Sequence, residues 1–120
     1  MTTRITPQHL VYQLRRLRLP VTTEEALQRA LWDWLVASGL PFEREARLGP
    51  ADRIDFLVDG DIGVEAKTRY SRRGIYRQLE RYATNHQLRA LILVSGTYMG
   101  LPEGINGVPV YLVSTGRGAL

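Results

Sequence analysis

At 120 residues the chain is long enough for one domain with a hydrophobic core and too short for two. Its 44% hydrophobic and 23% charged residues exclude a disordered chain and fit an ordinary soluble globular one. The net charge of +4, carried almost wholly by arginine, permits a polyanionic partner without identifying one.

No apolar run approaches the length of a membrane span, and "MTTRITPQHL" lacks the apolar core of a signal peptide. There is no cysteine, which excludes disulfides and thiolate metal sites and makes a cytoplasmic location the expectation. No repeat or low-complexity segment interrupts the chain, so residues 1–120 are read as a single domain. Residues 1–20 form a helical extension and 22–115 the core.

"TPQHLVYQLRRLRLP" predicts a short helix, with Leu10, Val11, Leu14 and Leu17 at helical spacing and Pro20 as its stop. "TTEEALQRALWDWLVASGLP" predicts a longer one. Thr22 and Glu25 fit a capping box, and Gly39 followed by Pro41 closes the far end. Leu27, Leu31, Trp34, Leu35 and Ser38 share its apolar face. Glu24 falls on the edge of that stripe and Glu25 points about 100° away. Gln28, one turn after Glu24, lies on the same side and could be the polar group that reaches the site in place of Glu24 or Glu25.

Strands are expected at 42–48, 53–58 and 62–68, separated by "GPAD" and "DGD" turns. A helix over 72–87 follows, with Ile75, Leu79, Tyr82, Ala83 and His86 inward. "ALILVS" reads as a buried strand and "PVYLV" as another, joined by a Gly- and Pro-rich loop. The order implies a mixed sheet flanked by helices, an α/β or α+β domain.

"DRIDFLVDGDIGVEAKT" places Asp55, Glu65 and Lys67 inside strands that otherwise read as buried. Alternation makes Ile54, Phe56 and Val58 one apolar set, with Asp55 and Leu57 opposite. A two-residue Asp59-Gly60 turn would send Asp55 and Glu65 to opposite faces. A three-residue Asp59-Gly60-Asp61 turn, or a bulge, would set them side by side. Adjacent carboxylates repel unless a cation takes an oxygen from each. Oxygen ligands without His or Cys suit Mg²⁺ or Mn²⁺, with the Ala66 carbonyl as an extra ligand and Lys67 on the same face. The bland alternative is a salt-bridged surface of an exposed sheet.

An acid in one strand, "EAK" in the next, a preceding helix with a glutamate and a following helix carrying "QLERY" resemble the PD-(D/E)XK nuclease superfamily. The likeness is to its RecB-like and Holliday-junction-resolvase-like members and covers roughly residues 22–95. It implies a restriction-endonuclease-like αβββαβ core with an extra N-terminal helix and a C-terminal strand. It also implies a Mg²⁺-dependent nuclease, an endonuclease, that hydrolyses DNA phosphodiester bonds. By this resemblance Asp55, Glu65 and the Ala66 carbonyl hold the metal, and Lys67 positions the attacking water. Glu24 best matches the helix-one glutamate and would bind a second metal or a water of the first. Gln78 would steady the site, and Tyr82 would contact it or a nearby phosphate. Ile54 stands where the family's name-giving proline would be.

Arg69, Arg72, Arg73, Arg77 and Arg81 follow the "EAK" strand directly and suit bidentate phosphate binding. Arg53 could clamp a phosphate or pair with a carboxylate. Arg15, Arg16 and Arg18 could extend a DNA track or decorate a dimer surface. A body this small leaves room for a homodimer presenting two sites. No membrane and no small organic cofactor is expected. The alternative reading is a catalytically silent nucleic-acid-binding or interaction module on the same fold.

Overall fold

Thr6 opens the first helix, α1 (Pro7–Arg15): its side chain accepts the His9 N–H, and Pro7 occupies a first-turn position where a missing N–H costs nothing. These assignments come from a computed structural model that describes residues 4–85 and 87–115. The α2 helix (Glu24–Ser38) is capped by Thr23, which accepts the Ala26 N–H at 3.0 Å. The expected capping box of Thr22 with Glu25 is therefore corrected by one residue. Two adjacent threonines offer the same chemistry, and the second takes the role. Gly39, in the left-handed region at φ 75°, ends the helix.

The strands are β1 (Phe42–Arg47), β2 (Arg53–Val58), β3 (Ile62–Lys67), β4 (Ala90–Ser95), β5 (Gly104–Ile105) and β6 (Val108–Ser114), with α3 (Arg72–Tyr82) between β3 and β4. They form one mixed sheet in the order β1-β2-β3-β4-β6-β5. The first three pair antiparallel, and β3, β4 and β6 run parallel. This is a mixed α/β domain. No described helix is long and apolar enough to cross a membrane.

Two departures follow from short-range chemistry. The α3 helix ends at Tyr82, short of the expected residue 87, because Thr84 and Asn85 turn their side chains onto backbone groups. His86 lies outside the described residues. The unexpected β5 forms because Asn106 and Gly107, both at positive φ, make a two-residue hairpin turn onto β6.

The sheet separates two cores. On one face Leu10, Leu14, Leu27, Leu31 and Leu35 pack with Phe56, Val58, Val64 and Val94. On the other, Ile75, Leu79 and Tyr82 of α3 pack with Ile54, Leu91 and Leu93. The predicted single apolar set of Ile54, Phe56 and Val58 is thus split, with Ile54 on the α3 side. The break falls at Asp55. Opposite it on β1, Glu45 adopts φ 55°, and the register skips that pair between Arg44↔Phe56 and Ala46↔Ile54. Gly63 makes the room: a Cβ there would meet Ile54 Cδ1 at 2.5 Å and Leu91 Cδ2 at 3.0 Å.

The β2–β3 connection is the three-residue Asp59-Gly60-Asp61 loop, with Val58↔Ile62 and Phe56↔Val64 paired across it. Asp59 and Gly60 both take positive φ. One step further along this register sets Asp55 opposite Glu65.

Candidate active site

Beyond Phe56↔Val64, hydrogen bonding between β2 and β3 passes from the backbone to the carboxylates. The Asp55 N–H donates to Glu65 Oε1 at 3.1 Å, and the Ala66 N–H donates to Asp55 Oδ2 at 2.8 Å. Each acid thereby bonds to the other acid's strand, which fixes both side chains without a rotamer search. Asp55 and Glu65 converge as the odd loop requires.

Helix α2 reaches the pair from one side. Its first-turn Glu24 and, four residues on, Gln28 lie on one helix face. Gln28 Nε2 donates to Asp55 Oδ1 at 3.2 Å. Glu24 Oε1 is buried without a hydrogen-bond partner among the described residues. Glu25 is exposed. Helix α3 reaches the pair from the opposite side through Tyr82, whose hydroxyl lies 3.1 Å from Glu65 Oε2 and 3.0 Å from the Arg53 carbonyl. Tyr82 is only 1% exposed, so it touches the site and offers no surface to a phosphate.

Lys67 completes the group. Its Nζ lies 3.3 Å from Glu65 Oε2 and 4.2 Å from the centre of the Tyr70 ring. Both Lys67 and Glu65 are buried. A buried ion pair of this kind rarely adds net stability over apolar side chains of the same volume.

Burial, and then the neighbouring charge of Asp55, push Glu65 up to about 7, with Lys67 acting in the opposite sense. Burial also raises Asp55, opposed by the Ala66 N–H and Lys67 and assisted by Glu24 and Glu45. Burial and the Glu65 charge raise the Tyr82 phenol, which stays a proton donor.

Other expected residues are less closely engaged. Gln78 is half-buried on α3, and no hydrogen bond joins it to a described site residue. Ala66 is tied in through its N–H. The Arg53 side chain lies 3.7 Å from Glu45. Arg81 pairs with Asp52 at 3.1 Å, and Arg15 donates to the Leu112 carbonyl, so these two guanidiniums serve the fold. Arg69, Arg72, Arg73 and Arg77 are exposed and pair with no described carboxylate. Sequence reasoning missed Glu45 and Tyr70. Neither stands in a motif, and each reaches the site only through its fold neighbour.

Among the described residues no three acidic or imidazole groups gather closely enough to enclose a cation unaided. The donors available are all oxygens: Asp55, Glu65 and the unpartnered Glu24 Oε1. Protein-family models, curated proteins and solved structures give no match to this chain.

Proposed function

We propose that the chain is a divalent-metal-dependent deoxyribonuclease with a restriction-endonuclease-like core, cutting DNA phosphodiester bonds as an endonuclease. The observation that carries this reading is the convergence of Asp55 and Glu65 with the Lys67 ammonium alongside. The element order α2, β1, β2, β3, α3, β4 is the αβββαβ order that the resemblance implies.

The residues fit a hard cation. Asp55 accepts one hydrogen bond on each oxygen, leaving lone pairs on both, and Glu65 Oε1 likewise accepts one. The unpartnered Glu24 oxygen is a further donor. These oxygens suit Mg²⁺ or Mn²⁺. Such an ion, when bound, polarises the phosphate and makes a water more acidic.

The chain's own groups supply the rest. Gln28 orients Asp55, and Tyr82 orients Glu65 while keeping its proton. Lys67 directs its ammonium at charge building on the phosphate oxygens as water attacks in line and the opposite P–O bond breaks. The sugar oxygen leaves as a hydroxyl that takes up the proton the water gives up. The Glu65–Lys67 contact holds that ammonium in place before substrate arrives.

The test is incubation with supercoiled plasmid and with branched DNA in Mg²⁺, Mn²⁺ or EDTA. Cleavage is expected with metal only, and Lys67→Ala should abolish it while DNA binding persists. Binding without cleavage in every metal would instead identify a catalytically silent DNA-binding module.

A further inference from the structure

We infer that the groove along the first turns of α3 binds single-stranded DNA, stacking bases on Tyr76 and Tyr98 and leading the strand past Tyr70 to Lys67. The inference rests on the nuclease reading for one feature, the direction of the strand toward Lys67. The remainder stands on surface chemistry.

Parallel pairing of β3 with β4 sets Lys67 beside Ser95. The loops leaving both strands therefore emerge at one end of the sheet, where open α/β sheets bind ligands. The β3 exit carries Arg69, Tyr70, Arg72 and Arg73, and the β4 exit carries Tyr98, Met99 and Gly100. Between them lies a groove of about 420 Å³ lined by Arg72, Arg73, Tyr76, Arg77 and Met99, with Glu80 and Gly100 at its wall. That volume is typical of a small-ligand cleft, which suits a nucleotide unit and not a duplex.

Charge selects a polyanion. Arg72, Arg73 and Arg77 form no ion pair with Glu80 or any other described acid. Unpaired guanidiniums on successive helix turns match successive phosphates.

The aromatic side chains select the unpaired strand. Five large apolar side chains among the described residues face solvent, and three of them, Tyr70, Tyr76 and Tyr98, belong to this end of the sheet. Scattered single exposures need no explanation, but a group interleaved with arginines does. A duplex keeps its bases stacked inside and would offer these rings nothing. A single strand offers base faces for the rings and phosphates for the arginines. Tyr70 joins the groove to the site, since its ring carries the Lys67 ammonium and it stands two residues before Arg72.

The experiment is fluorescence anisotropy in EDTA with a labelled thymidine oligomer, an abasic oligomer of equal length and a hairpin duplex. The thymidine oligomer should bind about tenfold more tightly than the other two. Tyr76→Ala and Tyr98→Ala should each weaken it roughly fivefold and leave the abasic oligomer unaffected, with Tyr76→Phe restoring binding. Equal affinity for single strand and duplex, or equal losses on the abasic oligomer, would overturn the inference. Because no metal is present, the two readings fail separately. Cleavage without strand preference removes the groove assignment alone, and strand preference without cleavage in any metal removes the nuclease alone.

Discussion

The Asp55 N–H donates to the Glu65 carboxylate at 3.1 Å, so one candidate metal ligand is also a backbone acceptor for the strand that carries the other. The Asp55 carboxylate does the reciprocal work for Ala66. Structure and chemistry are therefore separable by choice of substitution. Asp55→Asn keeps an acceptor for Ala66 and removes the charge that repels Glu65. It should leave metal-free stability equal or higher in urea titrations while cleavage is lost. Asp55→Ala strands the Ala66 N–H and should cost about 1–3 kcal/mol. If both variants melt alike, the hydrogen bond to Ala66 contributes nothing.

Tyr82 makes a second separation. Its hydroxyl bridges Glu65 and the Arg53 carbonyl, while its ring fills the α3-side core. Tyr82→Phe preserves the ring and should destabilise by about 1 kcal/mol. Glu65 then loses an orienting donor, and kcat is expected to fall about tenfold. Single-stranded DNA affinity should stay unchanged, because the residue is buried. A large binding defect in a folded Tyr82→Phe protein would instead mean that the hydroxyl meets DNA.

Most elements were legible from period and punctuation, because Leu27, Leu31 and Leu35, or the run at 90–95, declare a burial pattern locally. The Asp55, Glu65 and Lys67 set was legible for the opposite reason: charges inside buried strands demand partners. Gln28 could be anticipated from its position one turn after Glu24. The face switch at Asp55 could not. It depends on Glu45 entering the left-handed region and on the missing Cβ of Gly63 admitting Ile54, both contacts between strands. Tyr70 was equally silent, since stacking under Lys67 requires the turn after β3 to fold back.

Stability should depend on pH through Glu65. In metal-free protein its folded value is pushed up to about 7, above an ordinary carboxylate. The folded state thus holds the proton that the unfolded chain has released. This contribution is full below an unfolded glutamate's pKa and is lost as pH rises through about 7. Urea titrations in EDTA should show stability falling across that window, and Glu65→Gln should flatten the slope. Mg²⁺ or Mn²⁺ competes with the proton, so its stabilisation should grow with pH over the same range. A metal effect independent of pH would disconnect Glu65 from the cation.

Gly63 tests whether the face switch positions the acids. It is buried in β3 two residues before Glu65, and Ile54 occupies the space its side chain would fill. Gly63→Ala forces either Ile54 or Leu91 to move, an overpacking cost of about 1–3 kcal/mol. Ile54 directly precedes Asp55, so its displacement should also turn the carboxylate away from the Ala66 N–H. The expected result is a folded, less stable protein with cleavage reduced more than DNA binding. Pairing the change with Ile54→Val removes the methyl group at the point of collision. The double variant should regain both stability and activity relative to Gly63→Ala alone. Recovery of stability without activity would show that the Asp55 carboxylate keeps its place by other contacts.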